Sequence, residues 1–117
     1  MEILLLRDKV NPDEPNDDGE TPLWCAAWRG QEGVVNILLE RGDVDPNKSD
    51  IHGQTPLWRA AANGHEGVVK VLLGRDDVDP DKPDNLAQTP LSRAYECGHA
   101  GVIAILQPPA SATPSTA

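Results

Sequence analysis

The chain has few of the residues that dominate large compact cores. Its 117 residues include no Phe, three Trp and one Tyr, so aromatic residues make up only 3% of the sequence. A core with a single centre usually contains more bulky side chains, whereas stacked arrays bury Leu, Val, Ile and Ala in thin layers between neighbouring units. The length and the scarcity of aromatics favour one small domain built as such an array.

Positive charge is scarce as well. Ten Lys and Arg residues stand against 19 Asp and Glu residues, which gives a formal net charge of −9. Phosphate binding depends on clustered Lys and Arg, so this composition argues against a nucleic-acid partner. A protein partner that carries a basic patch suits the charge better.

Long apolar runs are also absent. No stretch approaches the roughly 18 apolar residues of a membrane helix, and Ile3-Leu4-Leu5-Leu6 is too short for the apolar region of a signal peptide. The two cysteines, Cys25 and Cys97, lack C-x-x-C spacing and are expected to be free thiols in a reducing compartment. We therefore expect a cytoplasmic or nuclear protein that does not act at a membrane.

One sequence pattern occurs three times at a fixed spacing. Residues 19–35 (GETPLWCAAWRGQEGVV) and 53–69 (GQTPLWRAAANGHEGVV) agree at 12 of 17 positions, and residues 87–103 repeat the pattern more loosely as AQTPLSRAYECGHAGVI. The Thr-Pro-Leu triplet recurs every 34 residues, at positions 21, 55 and 89. Three copies at one period indicate a stacked array in which each copy is one supersecondary unit.

Each unit reads as a turn-rich loop followed by two short helices. In residues 45–78, Thr55 precedes Pro56, which suits an N-cap followed by Pro at the first helical position, and this helix should end near Asn63-Gly64. Apolar residues at helical spacing predict a second helix over Glu66–Leu73. Neither helix is long enough to be stable alone in water, so packing between units must stabilise both.

This order of elements resembles the ankyrin repeat. The resemblance covers roughly residues 1–107 and rests on D-x-x-G-x-T-P-L-x-x-A-A-x-x-G-H-x-x-V-V-x-x-L-L, which the second repeat matches. It implies an all-α solenoid of stacked helix-turn-helix units joined by hairpin-like loops. The recurring Asp-Val-Asp-Pro, at 43–46 and 77–80, is similar to ankyrin arrays in large fungal multidomain proteins.

The repeat register predicts the organisation of the chain. Residues 1–10 align with the second helix of a preceding repeat, residues 11–44, 45–78 and 79–107 are three repeats, and residues 108–117 are a low-complexity tail expected to be disordered. Terminal repeats normally carry a polar outer face, and neither end of this array shows one clearly. We therefore expect a fragment of a longer array, with end-to-end self-association through uncapped repeats as the alternative.

The sequence departs from the family at the residue after Thr-Pro-Leu. The family usually has His there, whereas this chain has Trp24, Trp58 and Ser92. The hydrogen bond that the His makes near the repeat junction is therefore expected to be missing, and Trp24 and Trp58 are expected to pack between repeats. For Arg59 and Arg93 two interpretations stay open: they line the concave face, or they pair with acidic loop residues such as Asp17 or Asp50.

The histidines and acidic loops do not suggest a metal site. His65 and His99 occupy the Gly-His position, where the family uses the ring for local hydrogen bonds, and His52 lies at a predicted loop tip. The three stand in separate repeats without an i, i+4 pair, which argues against zinc. The acidic loop at residues 14–19 resembles the start of an EF-hand, but Cys25 stands where that loop requires Glu. We expect no metal and no cofactor.

The sequence also lacks the motifs of common catalytic sites. It has no Gly-x-Ser-x-Gly elbow, no glycine-rich phosphate loop and no evident base beside Cys25 or Cys97. Ankyrin arrays offer no deep pocket from which water could be excluded. We expect no catalytic residues and no enzyme activity.

A protein-binding surface remains as the candidate function. In ankyrin arrays the loop tips and the exposed side of the first helices form one concave face, and the residues that differ between otherwise similar repeats point to it here. The predicted partner-binding residues are Asp17, Asp18, Glu20, Trp28, Arg29, Ile51, His52, Gln54, Asn63, Asn85, Leu86 and Gln88.

Trp28 is the strongest of these candidates. Its equivalents are Ala62 and Glu96, and a position that accepts Glu is expected to be exposed. Trp and Arg dominate interface energies, so Trp28 and the adjacent Arg29 are expected to anchor a partner. The rival hypothesis is a structural spacer, a segment that extends a larger ankyrin protein whose binding sites lie elsewhere.

Overall fold

The computed structural model describes residues 14–42 and 44–107, so the predicted half repeat at 1–10 and the tail at 108–117 lie outside the described residues. Six helices follow one another: α1 Pro22–Arg29, α2 Glu32–Glu40, α3 Pro56–Ala62, α4 Glu66–Leu73, α5 Pro90–Cys97 and α6 Ala100–Leu106. The described part of the chain contains no strand. The predicted all-α repeat architecture is confirmed, and α4 has the bounds that the apolar spacing predicted.

The first helix of every repeat begins in the same way. Thr21, Thr55 and Thr89 have extended backbone, with φ between −81° and −89°, and Pro follows each as the first helical residue. Each hydroxyl accepts a hydrogen bond from the amide three residues later, at 3.0–3.1 Å. One of the free N–H groups at the helix start is thereby satisfied. The predicted N-caps are confirmed.

The helices form two layers. The first helices pack side by side in the order α1, α3, α5, and the second helices α2, α4 and α6 pack behind them in the same order. Small residues such as Ala26 and Ala60 have almost no exposed surface, which allows the layers to approach closely. Leu23, Leu57 and Val69 fill the space between them, so the core runs along the stack as thin apolar layers.

A tight loop precedes each first helix and contacts the next loop. In the second repeat, Asp50 Oδ1 accepts hydrogen bonds from the amides of His52 at 3.0 Å and Gln54 at 2.9 Å. The His52 carbonyl in turn accepts from the amide of Asn85 in the third repeat, at 2.9 Å. Gly53 has a φ of +78° and leaves room for this contact, because a Cβ there would lie 2.9 Å from the Asn85 nitrogen. The loops therefore form one row beside the helices.

None of the described helices is long and apolar enough to cross a membrane.

Candidate functional site

Trp24 and Trp58 lie at the junctions between repeats, with 4% and 3% of their surface exposed. The indole N–H of Trp24 donates to the Gln54 carbonyl, and that of Trp58 donates to the Gln88 carbonyl, both at 2.9 Å. The prediction that both residues pack between repeats is confirmed. The expectation that the junction hydrogen bond is missing is wrong at Trp24 and Trp58, because each indole N–H reaches a carbonyl in the next repeat.

The two Gly-His histidines bind the repeat before their own. Nε2 of His65 lies 2.9 Å from the Trp28 carbonyl, and Nε2 of His99 lies 2.9 Å from the Ala62 carbonyl. A carbonyl only accepts hydrogen bonds, so Nε2 carries the proton in both rings. The predicted structural role is confirmed, although each bond spans a junction instead of staying within one repeat.

Arg59 lies between two indole rings. Its guanidinium carbon is 5.6 Å from the centre of the Trp24 ring and 5.7 Å from the centre of the Trp58 ring. The guanidinium carbon of Arg93, in the next repeat, lies 5.8 Å from the centre of the same Trp58 ring. A cation this close to a ring face is attracted by the ring quadrupole. Arg93 also pairs with Glu96 at 2.6 Å. Both arginines thus contact aromatic rings.

The acidic loop residues do not pair with these arginines. Within residues 14–42 and 44–107, no ion pair joins Arg59 or Arg93 to Asp17 or Asp50. Asp50 is committed to its own loop, where its carboxylate accepts two backbone hydrogen bonds. The predicted ion pairs with Asp17 or Asp50 are therefore not formed, although the charge of Asp50 raises the pKa of Arg59.

The ring contacts continue into the first repeat. The Trp28 ring lies 5.8 Å from the Trp24 ring at an interplanar angle of 46°, and Arg29 lies 5.8 Å from the Trp28 ring. We call the six residues of this row the Trp–Arg ladder: Arg29, Trp28, Trp24, Arg59, Trp58 and Arg93. Trp28 is its exposed ring, with 40% of its surface accessible. The predicted exposure of Trp28 is confirmed.

The ladder holds its charges in a partly desolvated setting. Burial lowers the pKa of the Arg59 guanidinium, the charge of Arg93 lowers it further, and the carboxylates of Asp50 and Glu20 oppose both effects. Arg59 still stays charged at neutral pH, because the ordinary pKa of arginine is far above 7. Nε of Arg59 and Nε of Arg93 are buried without a hydrogen-bond partner. Arg93 is compensated by its ion pair with Glu96, and Arg59 by the two indole faces and the charge of Asp50.

The loops before the first helices carry most of the predicted partner-binding residues. Asp17, Asp18, Ile51, His52, Asn85 and Leu86 are exposed, whereas Glu20, Gln54 and Gln88 are half-buried at the loop bases. Ile51 exposes 57% of its surface and Leu86 exposes 78%. The amide of Ile51 donates to the Asp18 carbonyl at 3.0 Å, which repeats the contact between the second and third loops. The structure therefore brings the predicted tips into one row.

Two predicted residues have a structural partner. The Asn63 side chain donates to the Trp28 carbonyl at 3.1 Å, and the Asn85 side chain donates to the Ile51 carbonyl at 3.0 Å. Both bonds join neighbouring repeats. Variation between repeats drew attention to these positions, but it does not separate a side chain that contacts a partner from one that holds a junction.

Comparison with protein families agrees with this architecture. A family model described as ankyrin repeats in three copies matches residues 42–115, and a single ankyrin repeat model matches residues 18–51. The chain belongs to the ankyrin repeat family. Ankyrin repeats are generally protein–protein interaction modules without catalytic activity. A search of curated proteins finds no match.

Several exposed apolar residues of the ankyrin array were not among the predicted set, and Tyr95 is one of them. Tyr95 on α5 exposes 54% of its surface, whereas the equivalent Ala27 and Ala61 are completely buried. The change from Ala to Tyr at a repeated position was the available signal in the sequence.

An open cleft and two free thiols lie among the described residues. An open cleft of about 450 Å³ lies between α2 and α4, where Arg75 donates to the Leu39 carbonyl at 2.7 Å and pairs with Asp77. No group of three potential metal ligands occurs within the ranges that the structure describes.

Cys25 is half-buried and Cys97 is exposed, both as free thiols. Burial raises the pKa of the Cys25 thiol, and the nearby Glu20 raises it further.

Proposed function

We propose that this ankyrin array is a non-catalytic module that binds another protein through its loop tips and the exposed end of the Trp–Arg ladder. The observation that carries the proposal is the exposure of three large apolar side chains, 40% for Trp28, 57% for Ile51 and 78% for Leu86. All three stand where the repeats differ, whereas the alanine that the three repeats share at positions 26, 60 and 94 is buried. Single exposed apolar residues are ordinary, but a set of them on one face marks an interaction surface.

Trp28 is the proposed anchor. Its ring rests against Trp24, which is itself fixed by the hydrogen bond to the Gln54 carbonyl. A ring held in this way loses little freedom when a partner covers it, so more of the contact energy remains as affinity. The guanidinium of Arg29 over the same ring adds a donor that suits a carboxylate or an aromatic side chain.

The charge of the loop row points to the chemistry of the partner. Asp17 and Asp18 are exposed on the first loop, and the whole chain has a net charge of −9. Opposite charge accelerates encounter and disfavours wrong partners more than it adds to affinity. We therefore propose a partner that places a basic patch near Asp17 and Asp18 and an apolar segment along Ile51 and Leu86.

The test is affinity capture from a native extract with three baits: the wild type, the Trp28→Ala, Arg29→Ala double variant, and the Ile37→Ala control. Ile37 exposes 60% of its surface on α2, so the control removes an exposed apolar side chain outside the proposed face. Unfolding curves followed by circular dichroism establish that all baits are folded. Loss of an anchor residue typically costs about 2 kcal/mol or more, roughly a thirtyfold weaker Kd.

We expect a protein that the wild type and Ile37→Ala retain and that the double variant loses. If all three baits capture the same proteins, or none captures any, the proposed face does not bind a partner. A structural spacer would then explain the array better, and Trp28→Ala would be expected to lower its stability.

A further inference from the structure

We infer that the third repeat is a capping repeat. Residues on the side where another ankyrin unit would stack differ from those of the first two repeats, whereas the side that contacts the second repeat retains its contacts. Four positions support this inference. At each of them the first two repeats have the same residue, and the third has a different one. The inference concerns stacking and holds whatever sequence follows the array.

The first position lies in the loop. Gly19 and Gly53 have φ values of +77° and +78°, and a Cβ added to either would come within 3.0 Å of the backbone nitrogen of the next loop. The third repeat has Ala87 there, also with a positive φ of 64°. Its Cβ stands where the backbone of a further loop would have to lie. A loop placed there would have to move away, and its hydrogen bond to the Leu86 carbonyl would lengthen.

The second position is the junction tryptophan. Trp24 and Trp58 each donate a hydrogen bond to a carbonyl of the following repeat. Ser92 replaces them, and its hydroxyl bonds within its own helix start, accepting from the Thr89 amide at 2.9 Å and donating to the Thr89 carbonyl at 2.9 Å. The third repeat therefore offers no donor to a following unit at this position, and it also lacks the ring on which a further arginine could stack.

The third position lies on α5, and the fourth directly follows α6. Ala27 and Ala61 are completely buried in the narrow contact between first helices, and a Tyr at that position, as in Tyr95, is too large for the same contact. Where the second helices of the earlier repeats have Leu39 and Leu73, the third has Gln107. The Tyr95 hydroxyl donates to the Gln107 side-chain carbonyl, so the two replacements bind each other across the end of the array.

The opposite side of the third repeat keeps several of the contacts that join the first two repeats. His99 binds the Ala62 carbonyl, Asn85 binds the Ile51 carbonyl, and Arg93 lies over the Trp58 ring. The second helix also keeps apolar residues, and Ile103 is half-buried against the core. The replacements thus affect only one direction of stacking. This argues against the expectation that the array is uncapped at its third repeat and associates end to end there.

The inference can be tested by lengthening the full chain. A copy of residues 74–107 is inserted after residue 107, which adds one repeat in register. A second chain carries the same insertion together with four substitutions that restore the pattern of the first two repeats: Ala87→Gly, Ser92→Trp, Tyr95→Ala and Gln107→Leu. The matched control carries the four substitutions without the insertion. Urea unfolding gives the midpoint and the slope m for each chain.

A repeat that stacks adds a cooperative interface and more surface to the unfolding transition, so both the midpoint and m should rise. We expect no rise for the plain insertion and, for the substituted insertion, a higher midpoint and an m larger by roughly a third. The substituted control should not show this increase in m. The inference is overturned if the plain insertion raises both quantities equally, or if the substituted insertion raises neither.

Discussion

Replacing Trp58 by Phe should measure how strongly the junction tryptophan holds two repeats together. Phe keeps an aromatic ring but removes the indole N–H, which donates to the Gln88 carbonyl at 2.9 Å. It also reduces the ring area that lies beside the guanidinium groups of Arg59 and Arg93. The site is 3% exposed, so water cannot freely replace the lost contacts.

The magnitude follows from what each lost contact leaves behind. The Gln88 carbonyl retains a hydrogen bond from the Asp84 amide at 2.9 Å, so it is not left unsatisfied, and the lost bond is worth about 1 kcal/mol. The smaller ring leaves a partial cavity, for about 1 kcal/mol more. Weaker attraction of the two arginines adds roughly 0.5 kcal/mol. The free energy of unfolding should therefore fall by about 2–3 kcal/mol, a large fraction of the total for a domain of this size.

Thermal and urea unfolding of the full chain provide the assay, because both yield the free energy of unfolding when the transition is two-state. For a domain of about 100 residues, a loss of 2–3 kcal/mol lowers Tm by roughly 10–20 °C. Trp28→Phe is the matched control, since the Trp28 ring is 40% exposed. That control should change the free energy of unfolding by less than about 1 kcal/mol.

The reasoning would be refuted if Trp58→Phe cost no more than Trp28→Phe. Such a result would mean that the buried indole N–H and the larger ring add nothing to the junction. A loss much above about 4 kcal/mol would also contradict it, because the retained hydrogen bond on the Gln88 carbonyl would then not compensate as argued.

Three further predictions concern the loops, caps and thiols. Gly53→Ala should destabilise the chain by about 2–3 kcal/mol, because Gly53 has a positive φ and the next loop approaches it closely. Ala87→Gly should instead stabilise the chain by up to about 1 kcal/mol, because Ala87 also has a positive φ. Urea midpoints that move in the same direction for both variants would contradict this. Thr55→Ala removes an N-cap hydroxyl and should cost about 1 kcal/mol in urea unfolding, so an unchanged midpoint would show that the cap is dispensable. In the native protein at pH 8, a thiol reagent such as DTNB should modify the exposed Cys97 faster than Cys25. Burial and a nearby carboxylate raise the pKa of Cys25, so a smaller fraction of it is the reactive thiolate. Equal modification rates of the two thiols in the native protein would contradict this.

The helices could be predicted from the sequence because their signals are local. Thr followed by Pro marks the start of each first helix, and apolar spacing marks Glu66–Leu73 with the bounds that the structure gives. The burial of Trp24 and Trp58 was also predictable, because a residue that recurs at the same position of successive repeats is more typical of the packed framework than of the surface. These inferences require only the period and the chemistry of neighbouring residues.

Contacts between repeats could not be predicted in the same way. The Trp24 indole finds its acceptor 30 residues later, at Gln54, and nothing near Trp24 in sequence indicates that carbonyl. The position of Arg59 between two rings depends on how far one repeat is rotated against the next. The Asn63 side chain is predicted as a contact residue because it varies between repeats, yet it donates to a backbone carbonyl, and other donor side chains of similar reach could do the same.

The junction hydrogen bonds also bear on how such an array can change length. Since Gly19 and Gly53 match, and Trp24 and Trp58 match, the first repeat presents to its successor the same groups as the second. Deletion of residues 45–78 would therefore place the third repeat against a surface of the kind it already contacts, and duplication of that segment would add one more identical junction. Unequal recombination in whole periods of the middle repeat would thus preserve the kind of junction while changing the number of stacked interfaces, whereas any event that moved the third repeat inward would bury Tyr95 and Ala87 at a junction.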